Sequence, residues 1–212
     1  IIALSFTVLF AVISINAFSS NYEEIMKTNI DKIYKSSTPE ELTDLANQFQ
    51  RIANVEKDKW MPGYYVAYCY ARATTVREIE KDETHKNLDL AQAEIDKLLK
   101  IAPKESEIYT LQALVYQLRI TDAAKGYKYS SLATEALTVA EKLNANNPRI
   151  YYLKGSNTFH TPKMFGGGKE KAQPFLQKAA EMFANGKAEN ALTPNWGSYH
   201  CQQLLDWCNA TN

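Results

Sequence analysis

The sequence predicts an all-α fold, an α-solenoid of about four helical hairpins closed by a C-terminal capping helix. Three observations predict it. First, the 212 residues include only 8 glycines and 7 prolines, the two residue types that punctuate structure most strongly. Second, no stretch sustains the apolar/polar alternation of a half-buried strand. Third, the sequence repeats itself. In AQAEIDKLLKIAP, Ala91, Ile95, Leu98 and Pro103 stand at the same spacing as Ala136, Ala140, Leu143 and Pro148 in ATEALTVAEKLNANNP. A third copy, AQPFLQKAAEMFA, carries Ala172, Leu176 and Ala179, with Ala184 in the place of proline. The first three positions of each copy share one helix face. Alanine there lets a second helix approach closely, and the proline is expected to end the helix.

Taken in order, helices are expected over 21–35, 39–56, 60–81, 84–101, 105–120, 130–146, 149–160, 169–185 and 195–209. Thr38-Pro39-Glu40-Glu41 is a strong start, with threonine as N-cap and proline at the first helical position. Residues 59–73, KWMPGYYVAYCYARA, are the densest aromatic stretch. Trp60, Tyr64 and Tyr68 share one face there, and Tyr65 and Cys69 the next. Residues 121–131, TDAAKGYKYSS, read as a long turn between helices. The connections are short, so residues 18–212 form one domain.

The first twenty residues carry no charge, and Val8 to Ile13 is fully apolar. Ile15-Asn16-Ala17 resembles a cleavage site, so residues 1–17 read as a signal peptide lacking its basic start. A periplasmic or secreted location follows. The opposing reading is an uncleaved anchor, weakened by Ser5, Thr7, Ser14 and Asn16; only then would the chain associate with a membrane. Three cysteines, Cys69, Cys201 and Cys208, allow one bridge from Cys69 to either of the others or three free thiols.

An aromatic–small–aromatic helix precedes each alanine-faced one. Tyr109, Ala113 and Tyr116 match Tyr152, Ser156 and Phe159, and Ala67 and Tyr70 fit an earlier copy. This unit resembles the tetratricopeptide repeat, a 34-residue helix–turn–helix, over residues 60–185, with a longer spacing between the first two copies. The segment TPKMFGGGKEKA at 161–172, followed by LTPNWG at 192–197, is similar to exported repeat proteins of Bacteroidetes-type bacteria. More distantly it resembles the periplasmic T component of TRAP transporters.

The balance of 24 basic and 24 acidic residues argues against a nucleic-acid partner. Gly168-Lys169 is followed by Glu170, not by the Ser or Thr of a phosphate loop; the three glycines therefore read as an enlarged turn within a repeat. His85, His160 and His200 stand in no catalytic or metal-binding signature, so no enzyme activity, cofactor or metal is expected. The repeat resemblance implies a concave surface lined by Tyr64, Tyr68, Thr110, Leu114, Gln117, Leu153, Asn157 and His160. The leading expectation is a non-enzymatic protein that binds a protein or peptide partner in that groove. The alternative is a periplasmic small-molecule-binding accessory protein of a transport system, which requires a closed pocket.

Overall fold

The computed structural model describes residues 21–186 and 190–210. The expected signal segment, 1–17, lies outside them. The chain folds into α1 (residues 21–33), α2 (Pro39–Val55), α3 (Trp60–Ala73), α4 (Lys81–Ile101), α5 (Ser106–Leu118), α6 (Ala123–Leu143), α7 (Pro148–His160), α8 (Lys169–Asn185) and α9 (Ser198–Asn209). No strand occurs among the described residues. Helices α3/α4, α5/α6 and α7/α8 are hairpins, and α3, α5, α7 and α9 pack in succession along one side. The outcome is a solenoid-like stack with an inner row of odd-numbered helices. No helix of the described residues is long and apolar enough to cross a membrane.

Local chemistry sets the helix ends. At α2, the Thr38 hydroxyl accepts from the Glu41 amide while the Glu41 carboxylate accepts from the Thr38 amide, a complete capping box. Glu105 and Asn147 cap α5 and α7 one way only, each side chain accepting from the amide two residues on. The alanine faces do what their spacing implies: Ala91, Ile95, Ala140, Ala172, Leu176 and Ala179 are all fully buried.

Several boundaries differ from expectation, four of them at sites where local chemistry gives the reason. Helix α3 stops at Ala73, because the Thr74 and Thr75 hydroxyls donate to the Ala71 and Arg72 carbonyls and compete with the helical ladder. Residues 123–131 are helix, not turn. Asp122 caps them by accepting from the Lys125 amide at 3.0 Å, and Gly126 sits in open space, where an interior glycine costs only ~1 kcal/mol. Pro148 does not end α6, which stops at Leu143; it opens α7. Helix α9 starts at Ser198, after Gly197 at φ +104, so Asn195 and Trp196 precede it.

The repeat register also moves by one residue. The Tyr109 hydroxyl donates to the Pro103 carbonyl and the Tyr151 hydroxyl to the Ala145 carbonyl, so Tyr109 corresponds to Tyr151, not Tyr152. Ile108/Ile150 and Leu111/Leu153 follow as matched, fully buried pairs.

The glycine segment is a tight turn. A single 3₁₀ turn, Lys163–Phe165, is followed by Gly166 at φ +88 and Gly168 at φ +106. A Cβ on Gly167 would lie 2.0 Å from the Thr161 carbonyl oxygen. Glycine is required by backbone geometry and close approach, and Lys163 pairs with Glu170 across the turn at 2.9 Å.

Candidate functional site

The inner row of helices is not an open channel. Residues 190–197 return from the end of α8 across the inner faces of α7 and α3. The Tyr65 hydroxyl donates to the Leu192 carbonyl at 2.7 Å. The Trp196 indole N–H donates to the Tyr64 hydroxyl at 2.8 Å. Trp196, 7% exposed, stacks on Tyr68 with ring centroids 5.7 Å apart and planes 18° apart, and meets Tyr152 edge-on at 6.4 Å. The Arg149 guanidinium lies 5.8 Å from the indole. Gly197 is the hinge: a Cβ there would press on Phe183 and Tyr152 at 3.2 Å, besides the positive φ.

This segment closes one side of a cavity of about 740 Å³, within the range of small-molecule sites. Its apolar walls are Tyr68 of α3, Leu114 and Leu118 of α5, Tyr152 of α7, and Trp196. Its polar margin is Tyr34 and Ser37 after α1, Arg72 and Thr75 at the end of α3, and Tyr199 and His200 at the start of α9. Two further hollows of about 370 Å³ lie at the other side of the segment; one contains the buried Arg149–Glu107 pair.

Burial sets the charge state of the main cavity. It holds the Tyr68 hydroxyl well above its ordinary pKa and pushes Tyr152 and Tyr34 up to about 12. All three are neutral donors at physiological pH. No carboxylate lines the cavity. His200 is exposed, with Nδ1 3.1 Å from Gln203 Oε1. Tyr34, Tyr199 and His200 stand at the rim, and Tyr68 and Tyr152 inside. Among the described residues no three His, Cys, Asp or Glu side chains gather as a metal site.

The eight residues expected on the concave surface separate here. Tyr68 and Leu114 line the cavity. Tyr64 is fully buried beneath Trp196. Thr110 is fully buried, its hydroxyl donating to the Ser106 carbonyl. Gln117 ties α5 to α7 by donating to the Leu153 carbonyl at 2.8 Å, and Leu153 itself is core. Asn157 donates to the Ser130 carbonyl and Thr134 hydroxyl of α6. His160 is exposed at the end of α7, its Nδ1 2.9 Å from the Ser156 carbonyl, away from the cavity walls. Arg72, Tyr152, Trp196 and His200 were not anticipated. Arg72 follows Tyr68 at the helical i,i+4 spacing, which was the available signal.

The thiols are not activated. All three cysteines are free. Burial pushes Cys201 up to about 11 and raises Cys69 and Cys208. The Cys201 thiol donates to the Leu176 carbonyl at 3.5 Å, turned to α8 and not to its neighbour His200.

The fold has a solved relative. The HusA haemophore from Porphyromonas gingivalis superposes with a TM-score of 0.79 at 31% identity, covering 88% of this chain and 92% of that one. The chain belongs to the HusA haemophore family. The sequence matches no protein-family model and none of the curated proteins. Membership of the haemophore family agrees with the expectation of a Bacteroidetes-type helical protein with a binding role.

Proposed function

We propose that this haemophore-family chain is a non-enzymatic carrier that holds haem, as cargo, in the cavity between α3, α5, α7 and the 195–200 segment. The observation that carries the reading is the set of apolar and aromatic walls, Tyr68, Leu114, Leu118, Tyr152 and Trp196, around a volume of about 740 Å³. A planar macrocycle buries its faces against such walls. The likeness to the HusA haemophore supports haem over other flat apolar ligands. The expected peptide groove loses ground because residues 190–197 fill much of the inner face; a small-molecule site gains it, in a cavity that is walled but open on one side and so is not the closed pocket the transport-system alternative required. Function outside the cytoplasm fits a carrier of this kind.

Packing supplies more of the affinity than iron ligation. The walls are largely buried, while Tyr199 is 68% exposed and His200 is exposed too. Titration of haemin into the purified protein, followed by its absorbance band and by tryptophan quenching, tests this. We expect one haemin per chain. Trp196→Ala should weaken binding by roughly ten-fold or more, since stacking on an aromatic contributes ~1–3 kcal/mol. His200→Ala should weaken it less. Absence of saturable binding by the folded wild type would refute the reading.

A further inference from the structure

The polar end of the cavity carries a second message. Of the five arginines, Arg77 pairs with Glu40, Arg119 with Asp89 and Arg149 with Glu107, while Arg51 is exposed on α2, away from the cavity. Arg72 is different: it lines the cavity and takes part in no ion pair among the described residues. Its Nε donates to the Ile33 carbonyl at 3.3 Å. That bond fixes the guanidinium plane and leaves the two terminal nitrogens to other acceptors. It stands near enough to Tyr68 and Tyr34 for its charge to act on both hydroxyls. In a chain with equal numbers of acidic and basic residues, this cavity has a guanidinium and no carboxylate on its walls among the described residues.

We infer that Arg72 is the carboxylate anchor of the site, so that the cavity selects ligands joining a flat apolar body to an acidic arm. A carboxylate is the partner that fits the fork geometry of a guanidinium with two nitrogens free. The Ser37 and Thr75 side chains also border this end. The stacking wall of Trp196 and Tyr68 then takes the body of the ligand, and Arg72, one helical turn beyond Tyr68, takes the arm. The inference rests on the haem reading, in which a propionate is the arm, but its chemistry is separable from it.

The experiment compares matched acids and esters on wild type, Arg72→Ala and Arg72→Lys. The probes are haemin with haemin dimethyl ester, and pyrenebutyrate with its methyl ester. Wild type should bind each acid roughly ten-fold or more tighter than its ester, as expected for a hydrogen bond to a charged group. Arg72→Ala should remove that preference, with acid affinity falling to that of the ester. Arg72→Lys should restore part of it. Equal binding of acid and ester by wild type would overturn the inference and leave haem binding standing. Equal loss of acid and ester in Arg72→Ala, with helicity intact, would overturn it too, by giving Arg72 a structural role. Selective binding of pyrenebutyrate without haemin would uphold the anchor and refute haem as cargo. Failure of every probe to bind would refute both.

Discussion

Trp196 is one side chain that meets three tyrosines and an arginine from α3 and α7. Its neighbourhood concentrates the costs of mutation. Behind it, Glu107 holds Arg149 with both side chains nearly buried, 12% and 7% exposed. Glu107→Ala would leave a guanidinium buried without its partner, at a cost of about 3–5 kcal/mol. A chain of this length loses roughly 2–4 °C of melting temperature per kcal/mol, so a fall of at least about 6 °C in a thermal melt is expected. A smaller fall than for a surface Glu→Ala variant would contradict the buried pairing. Trp196 itself was visible in the sequence only as part of LTPNWG. Nothing in a six-residue loop states which distant helices it will cross, because the Tyr64 and Tyr65 bonds that seat it span more than half the chain.

At the scale of elements, the alanine-faced helices were legible because a 0, 4, 7 spacing of small residues has one geometric meaning. Ala91, Ala140, Ala172 and Ala179 are buried where that spacing put them. The inner helices were harder. A face is set by register, and in α7 two adjacent tyrosines, Tyr151 and Tyr152, both fit the pattern; choosing Tyr152 as the match of Tyr109 moved the expected wall onto Leu153 and Asn157. The hydroxyl–carbonyl bond of Tyr151 resolves the choice, and Tyr152 becomes the wall. The close pairing of α7 and α8 gives a sharper test. A Cβ on Gly155 would lie 2.6 Å from Leu176 Cγ and Cδ2, so Gly155→Ala should destabilise by about 1–3 kcal/mol, read by denaturant midpoint. An unchanged midpoint would mean the helices sit farther apart. For α6, Asp122→Ala removes the cap that begins its early turns and should cost ~1 kcal/mol. Hydrogen exchange should then quicken at residues 123–127 but not at 133–143. Equal exchange at both ends would argue against capping by Asp122.

Across the whole molecule, stability should respond to alkali more than its neutral composition suggests. Burial lifts Tyr34 and Tyr152 to about 12, and raises Tyr64 and Tyr68 well above the ordinary phenol value by the same cause. Unfolded tyrosines release their protons near pH 10, so above that pH the folded state binds more protons and stability falls as pH rises. The contribution is fully present below pH 10 and is lost between about 10 and 12, at up to ~1.4 kcal/mol per pH unit for each buried phenol. Unfolding midpoints should therefore decline steeply from pH 10 upward; a flat profile to pH 12 would show that these hydroxyls are hydrated. The all-helical stack was readable from periodicity, since local patterns encode helices. The cavity was not, since it forms from residues on four inner-row segments and one returning loop that meet only in three dimensions. The most direct measurement of the haem-carrier reading is a haemin titration of wild type beside Leu114→Trp, a variant that narrows the cavity from its α5 wall. We predict one-to-one saturable binding by wild type and clearly weaker binding by the narrowed variant, with the same helical circular dichroism for both. Equal haemin binding by the two would place the ligand elsewhere and contradict the site.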